Sequence, residues 1–320
     1  MQNLSTHHDW SLKEITDLFT LSFIKLLYQA LETHQRYFSA DSVQISSLLS
    51  IKTGSCPEDC AYCAQSSHHK TDIKFQDLLD IKTVIAKATA TRDIGGTRFC
   101  MGAAWHSPPE KYFEQILEMI REVKKLGLET CMSLGLLTKS QAFLLKEAGL
   151  DYYNHNLDSS PEYYEKIIST RTYNERLTTL KNLRDAEIKI CCGGIIGMGE
   201  TTEDRIGLLH QLVNFPEHPH SVPINYFTPI PGTPLANVPP IDPFDFVRVI
   251  AVSRILMPHS LIRLAAGREK MSDELQALCF CAGANSIFCG EKLLTVKNPS
   301  IEKDYHLLQR LGMKPKSITC

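Results

Sequence analysis

The sequence lacks any large excess of charge of one sign. Lys and Arg number 34 against 36 Asp and Glu, a formal net charge of −2. That balance excludes a basic nucleic-acid binder and an acidic interaction tail. Long apolar runs are also missing. The most apolar early stretch, Phe19 to Leu31, is broken by Ser22, Lys25 and Gln29 and is too short to span a bilayer. The N-terminus, MQNLSTHHDWSLKEITDLF, has no basic stretch followed by an apolar core, which argues against a secretory signal. It is too acidic for a mitochondrial presequence. The expectation is a soluble, cytoplasmic protein with no nucleic-acid and no membrane partner. No low-complexity tract or sequence repeat is present. No G-x-G-x-x-G follows the first β-like run, which weakens the case for an open dinucleotide-binding sheet.

What is present is that of a globular protein, with 43% hydrophobic and 22% charged residues. A chain of 320 residues can bury a large core without metal staples, so a metal here would serve chemistry rather than folding. Cysteine stands out, at 11 residues. The odd count and the absent signal argue against a disulfide framework. Cys56, Cys60 and Cys63 are clustered, whereas Cys100, Cys131 and Cys191 are widely separated, with Cys192 beside the last. Cys279, Cys281 and Cys289 read as core packing, and Cys320 ends the chain.

Short β-rich runs alternate with amphipathic helical patterns. Strands are predicted at 43–52, 96–101, 129–133, 151–157, 188–195, 222–226, 261–265 and 284–288. Helices are predicted through Phe113–Val123 and at 138–148, 174–186, 201–214, 243–257 and 272–281. Such alternation implies parallel strands and right-handed crossovers. Eight units in about 250 residues match a (β/α)8 TIM-type barrel, with a doubly wound open sheet as the alternative. Residues 1–40 read as an N-terminal helical extension, 41–300 as the barrel, and 301–320 as a closing helix with a loose tail.

Side chains alternate faces along a strand. Arg98 and Cys100 share one face, opposite Phe99 and Met101. Glu129 and Cys131 oppose Thr130 and Met132. Asn154, Asn156 and Asp158 oppose Tyr153 and Leu157. Lys189 and Cys191 oppose Ile188, Ile190 and Cys192. Arg263 opposes Ile262 and Leu264, and Asn225 opposes Ile224 and Tyr226. The polar member of each set is expected to point inward. Barrel interiors are usually apolar, and an unpaired buried polar group costs about 1–3 kcal/mol. This interior therefore implies a large polar ligand or a cluster.

Cys56-Pro57-Glu58-Asp59-Cys60-Ala61-Tyr62-Cys63 is a C-x3-C-x2-C run just after the first strand, at the end of a barrel where active sites lie. Two centres fit it. One is zinc with His68 or His69 as the fourth ligand, a Cys3His site. The other is a four-iron cluster with one iron left open for a ligand.

This run, with an aromatic residue before its last cysteine, resembles the radical S-adenosylmethionine (AdoMet) superfamily. Further blocks resemble the biotin synthases. They are Arg98–Trp105, Tyr153–Asp158, Thr170–Tyr173, Cys191–Gly197 and Ile262–Glu269. The resemblance runs from about residue 40 to 300 and implies a sulfurtransferase that converts dethiobiotin to biotin.

The resemblance implies that Cys56, Cys60 and Cys63 hold a [4Fe-4S] cluster whose open iron is chelated by AdoMet. Cys100, Cys131, Cys191 and Arg263 are the implied ligands of a [2Fe-2S] cluster, the sulfur donor. On residue chemistry alone Arg263 reads instead as one half of a buried ion pair, with Glu129 as its partner. Gly193-Gly194-Ile195-Ile196-Gly197-Met198-Gly199-Glu200 fits the superfamily's G-x-I-x-G-x-x-E pattern, whose glycines are taken to let the backbone approach AdoMet. Tyr62 and Ile195 are implied near adenine, Asn156 and Asp158 near the ribose, and Arg176 at the AdoMet carboxylate. Without the resemblance Arg176 reads as an exposed helix residue. Asn156 and Asn225 are implied at the ureido ring of dethiobiotin, and Thr295 at its carboxylate. Val296 departs from the family there, where a second hydroxyl residue is common. An electron donor such as flavodoxin and a homodimer are also implied.

Overall fold

The computed structural model describes residues 7–290 and 292–316; Cys320 lies outside them. Two helices precede the first strand, α1 (Leu12–Thr20) and α2 (Phe23–Tyr37). Ser11 and Glu14 cap each other at the start of α1, satisfying two otherwise orphaned main-chain donors. The chain then alternates. β1 (Ser42–Lys52), α3 (Ile81–Asp93), β2 (Arg98–Ala103), α4 (Glu110–Lys125), β3 (Glu129–Ser133) and α5 (Lys139–Glu147) form the first part. β4 (Tyr152–Asn154), α6 (Pro161–Ile167), α7 (Tyr173–Asp185), β5 (Lys189–Cys191), β6 (Gly194–Ile196) and α8 (Thr202–Val213) follow. β7 (Ser221–Tyr226), α9 (Pro243–Leu256), β8 (Leu261–Leu264), α10 (Asp273–Cys281) and β9 (Ser286–Phe288) complete the ring.

The strands are parallel and run in the order β1-β2-β3-β4-β5-β7-β8-β9. Gln44 of β1 stands opposite Ser286 of β9, which closes the barrel. β6 continues β5 beyond Cys192-Gly193 and pairs with β7. The architecture is thus an α/β TIM-type barrel of eight staves, one of them interrupted. The side-chain period explains the layers. Phe113, Ile116, Leu117, Ile120 and Val123 recur at helical spacing on α4 and are all buried. Each contributes about 1.5–3 kcal/mol of apolar burial. They pack with Phe99, Met101 and Met132, the outward face of β2 and β3.

Two elements differ from expectation. A hairpin, β10 (Lys292–Leu293) and β11 (Val296–Lys297), follows β9. After α11 (Ile301–Arg310) the described part of the tail, through Lys316, is bonded to β1 rather than loose. β12 (Lys314–Pro315) pairs in parallel with Ser42 and Val43 of β1. Among the described residues no helix is long and apolar enough to cross a membrane.

Candidate active site

A cavity of about 320 Å³ opens at the C-terminal ends of the strands and runs down into the barrel. All six cysteines at 56, 60, 63, 100, 131 and 191 line it, together with Arg263. Tyr62, Asn156, Asp158, Arg176, Ile195, Asn225 and Thr295 line it as well.

Cys56, Cys60 and Cys63 sit on the loop after β1. Main-chain bonds hold that loop: Cys56 N donates to Gln65 O at 2.9 Å, and Ser67 N donates to Cys56 O at 2.8 Å. Lys52 is buried beneath it and donates to the carbonyls of Gly54 and Ala104. Burial raises the Cys56 and Cys60 thiols, and pushes Cys63 up to about 12. Thiols so placed ionise readily only against a cationic partner such as iron. His68 and His69 are not turned toward the thiols. Each holds Nε2 3.0 Å from a main-chain carbonyl, that of Pro57 and that of Cys60. Among the described residues no three His, Cys, Asp or Glu side chains are grouped to hold one metal ion. Neither histidine forms a hydrogen bond to a cysteine thiol among the described residues.

A second set lies deeper. Cys100 and Cys131 face each other in register on β2 and β3, and Cys191 lies on β5 in register with Asn154. All three thiols are buried, as is Arg263. Arg263 donates from Nε to Ser286 Oγ at 2.8 Å, and from Nη2 to Gln44 Oε1 at 3.0 Å and Ser46 Oγ at 3.1 Å. Its Nη1 has no partner among the described residues. Glu129 is not its counter-ion; that carboxylate pairs with Arg98 at 2.9 Å. Burial raises the Cys100 thiol, but the Cys131 hydrogen bond, Arg263 and Arg98 outweigh it and bring it down to about 7, while Cys131 moves up. Three thiols and a guanidinium with one orphaned nitrogen, all lining one cavity, fit a metal–sulfur group that would supply the missing partner.

Between the two sets lies a polar frame. Arg176 is buried on α7, not exposed as its helical position alone implies. Its Nη2 lies 2.6 Å from Asp158 Oδ2, its Nε donates to Tyr164 at 2.7 Å, and its Nη1 to Asn156 O at 2.6 Å. Tyr62 donates to Asp158 Oδ2 at 2.7 Å. Asn156 Oδ1 accepts from Asn154 Nδ2 and from Gly193 N. Asn225 donates to Gly194 O at 2.9 Å and accepts from Ala266 N at 3.1 Å. Each asparagine keeps amide donor capacity free for a ligand. Thr295 sits in the turn between β10 and β11, beside Leu293, Leu294 and Val296, over the same cavity.

Other expectations need correction. Gly193 and Gly194 do not line the cavity. A Cβ on Gly193 would meet Pro223 O at 2.0 Å, and one on Gly194 would meet Leu208 Cδ2 at 2.4 Å. Close packing by itself requires glycine at both positions. Lys189 does not point into the interior; as the first residue of β5 it reaches solvent at the lower mouth. Cys192, Cys279 and Cys289 pack in the core, whereas Cys281 is exposed.

Sequence reasoning assigned no role to Arg171, Glu58 or His155. Arg171 Nη2 donates to Cys60 Sγ at 3.7 Å, and its Nε lies 3.2 Å from Glu58 Oε2. His106 and Thr170 also bond Glu58. His155 lines the cavity, and burial, reinforced by Arg176 and Arg171, holds it neutral. Thr170-Arg171 followed by a capped helix was the available signal for Arg171.

Comparison with known proteins gives the family. The radical SAM superfamily matches residues 50–212, and the Biotin and Thiamin Synthesis associated domain matches 223–314. A biotin synthase of Marinobacter nauticus is 56% identical over 316 residues, 99% of this chain and 90% of its own length. One from Xanthomonas campestris is 58% identical, with 98% and 91% covered. One from Pseudomonas aeruginosa is 58% identical, with 98% and 89% covered. Among solved structures, methylornithine synthase superposes with TM-score 0.81 at 20% identity, covering 96% of this chain and 94% of its own. The FeFe-hydrogenase maturase of Carboxydothermus hydrogenoformans gives 0.82 at 19%, covering 96% and 76%. Both share the fold. The chain belongs to the biotin synthase family of the radical SAM superfamily.

Proposed function

We propose that this cavity converts dethiobiotin to biotin by radical-AdoMet sulfur insertion, the last step of biotin formation. The observation that carries the reading is the shared cavity: two cysteine sets, one at its mouth and one at its floor, with a polar frame between them. Cys56, Cys60 and Cys63 would hold [4Fe-4S] with AdoMet, and Cys100, Cys131, Cys191 and Arg263 would hold [2Fe-2S]. Bound there, these groups supply one-electron bond cleavage and sulfur, chemistry that side chains alone lack.

The chain's own residues supply place and dryness. Asp158, fixed by Tyr62 and Arg176, offers its carboxylate edge to a ribose. Asn156 and Asn225, each anchored to main chain, present amide groups to a ureido ring. Thr295 offers one hydroxyl to a carboxylate. Trp105, Phe227, Phe288 and Leu293 wall the space, so water is kept from a reactive carbon. Holding the substrate between the two cysteine sets makes the encounter intramolecular. The same proposal includes an electron donor such as flavodoxin, a homodimer and a cytoplasmic setting.

Iron and sulfide analysis with Mössbauer spectroscopy on reconstituted protein tests it. Two cluster types are expected, one lost in Cys56→Ala and the other in Cys131→Ala. A single iron type, or none, overturns the reading.

A further inference from the structure

One charged side chain reaches a sulfur of the upper cysteine set. Arg171 lines the cavity, and its Nη2 donates to Cys60 Sγ at 3.7 Å. Among the described residues this is the only side-chain hydrogen bond to Cys56, Cys60 or Cys63. Burial raises the Cys56 and Cys60 thiols, and the Arg171 charge opposes that rise at both. Neighbouring cations spend their donors elsewhere. Arg176 bonds Tyr164, Asn156 O and Asp158, and Lys52 donates to main-chain carbonyls.

The loop that carries the cysteines also holds Arg171 in place. Ala61 N donates to Ile167 O at 2.8 Å. Asp59 accepts from the main-chain N–H groups of Ser169 and Thr170 at 2.9 and 3.2 Å. Glu58, between Cys56 and Cys60 in sequence, is buried. Arg171 Nε lies 3.2 Å from its Oε2, and His106 and Thr170 bond the same carboxylate. A cation and an anion thus share one flank of the three thiols.

An iron–sulfur cluster gains negative charge when it is reduced. Hydrogen bonds to its sulfurs and positive charge nearby favour the reduced form, and negative charge nearby opposes it.

We propose that Arg171 and Glu58 set the reduction potential of the upper cluster in opposite directions. Arg171, through its bond to Cys60 Sγ, raises the potential and keeps the cluster reducible by its electron donor. Glu58 fixes the guanidinium and limits that rise. Both act through the cysteine set rather than on substrate, so they are positioning residues. The inference rests on the proposed [4Fe-4S] cluster at Cys56, Cys60 and Cys63.

Redox titration of the reconstituted protein without AdoMet tests it, read by the electron paramagnetic resonance signal of the upper cluster. In Arg171→Gln the midpoint should fall. Reduction at a fixed potential should become at least about tenfold less favourable, about 59 mV for one electron. Arg171→Lys should lie between that variant and the wild type. Glu58→Gln keeps an acceptor for Arg171 but loses the negative charge, so its midpoint should rise. Simple loosening of the loop would move both Gln variants the same way or neither. An unchanged or raised midpoint in Arg171→Gln, or anything but a rise in Glu58→Gln, overturns the inference. If Arg171→Gln loads no cluster, Glu58→Gln decides alone. Wild-type protein that holds no [4Fe-4S] cluster overturns the proposed function and this inference with it. A wild-type cluster whose midpoint neither substitution moves overturns this inference alone.

Discussion

Arg176 and Asp158 form a buried ion pair, 2.6 Å apart, in the wall between the two cysteine sets. Arg176 arrives from α7, while Asp158 follows β4 with φ of 66°, a left-handed position that Asp and Asn tolerate better than most residues. Burial works against the Arg176 charge, but Asp158, Tyr62, Tyr164 and Cys60 together outweigh it and raise the guanidinium above its ordinary range.

Asp158→Asn keeps that backbone conformation but leaves Arg176 buried without its counter-ion. The expected loss is about 3–5 kcal/mol of unfolding free energy. Urea titration reads it. A shift in midpoint within error of zero would show that the pair is dispensable.

Gly193→Ala drives a methyl group into Pro223 O, a main-chain atom that cannot swing aside. The expected cost is at least about 3 kcal/mol, with soluble yield falling in parallel. Gly127→Ala is the contrast. Nothing lies within 4 Å of its Cβ, but φ is +80°, so only strain of about 1–2 kcal/mol is expected. Thermal melts of the two variants should separate clearly.

His34 is buried on α2, and burial, with Arg254 adding to it, holds its pKa down to about 4 from 6.5. The unfolded chain binds the proton more readily, so stability is full above about 6.5 and falls as pH drops toward 4. His34→Leu should flatten the decline in that window. Urea midpoints on either side of it provide the check.

Arg263→Lys retains a charge but gives up the planar fork that reaches Ser286, Gln44 and Ser46 together. The barrel should fold with the upper set intact. The ultraviolet–visible and Mössbauer signature of the deeper cluster should change, and that of the upper one should not.

Much of this was legible in the residues. Cys100, Cys131 and Cys191 could be placed inside by strand parity, because Phe99, Met132 and Ile190 needed the helix layer. Parity failed for Lys189 because facing inward at the first residue of a strand means facing the mouth, not the interior. Ile81–Asp93 was missed as a helix because Thr, Lys and Ala dilute its apolar face. The four-residue pairing of β10 with β11 is too short for any periodicity. Arg171 and Glu58 escaped notice since their contacts join positions over 100 apart in sequence. Burial of Arg176 likewise depends on Asp158, Tyr164 and Asn156, which no local pattern announces.

An anaerobic turnover assay of the reconstituted protein with AdoMet, reductant and dethiobiotin tests the central claim most directly. Mass spectrometry follows 5′-deoxyadenosine and biotin together. The account predicts both products in the wild type, and loss of biotin in a Cys100→Ala variant that still binds AdoMet. 5′-Deoxyadenosine without biotin, from protein shown to carry both clusters, would contradict the assignment of the substrate.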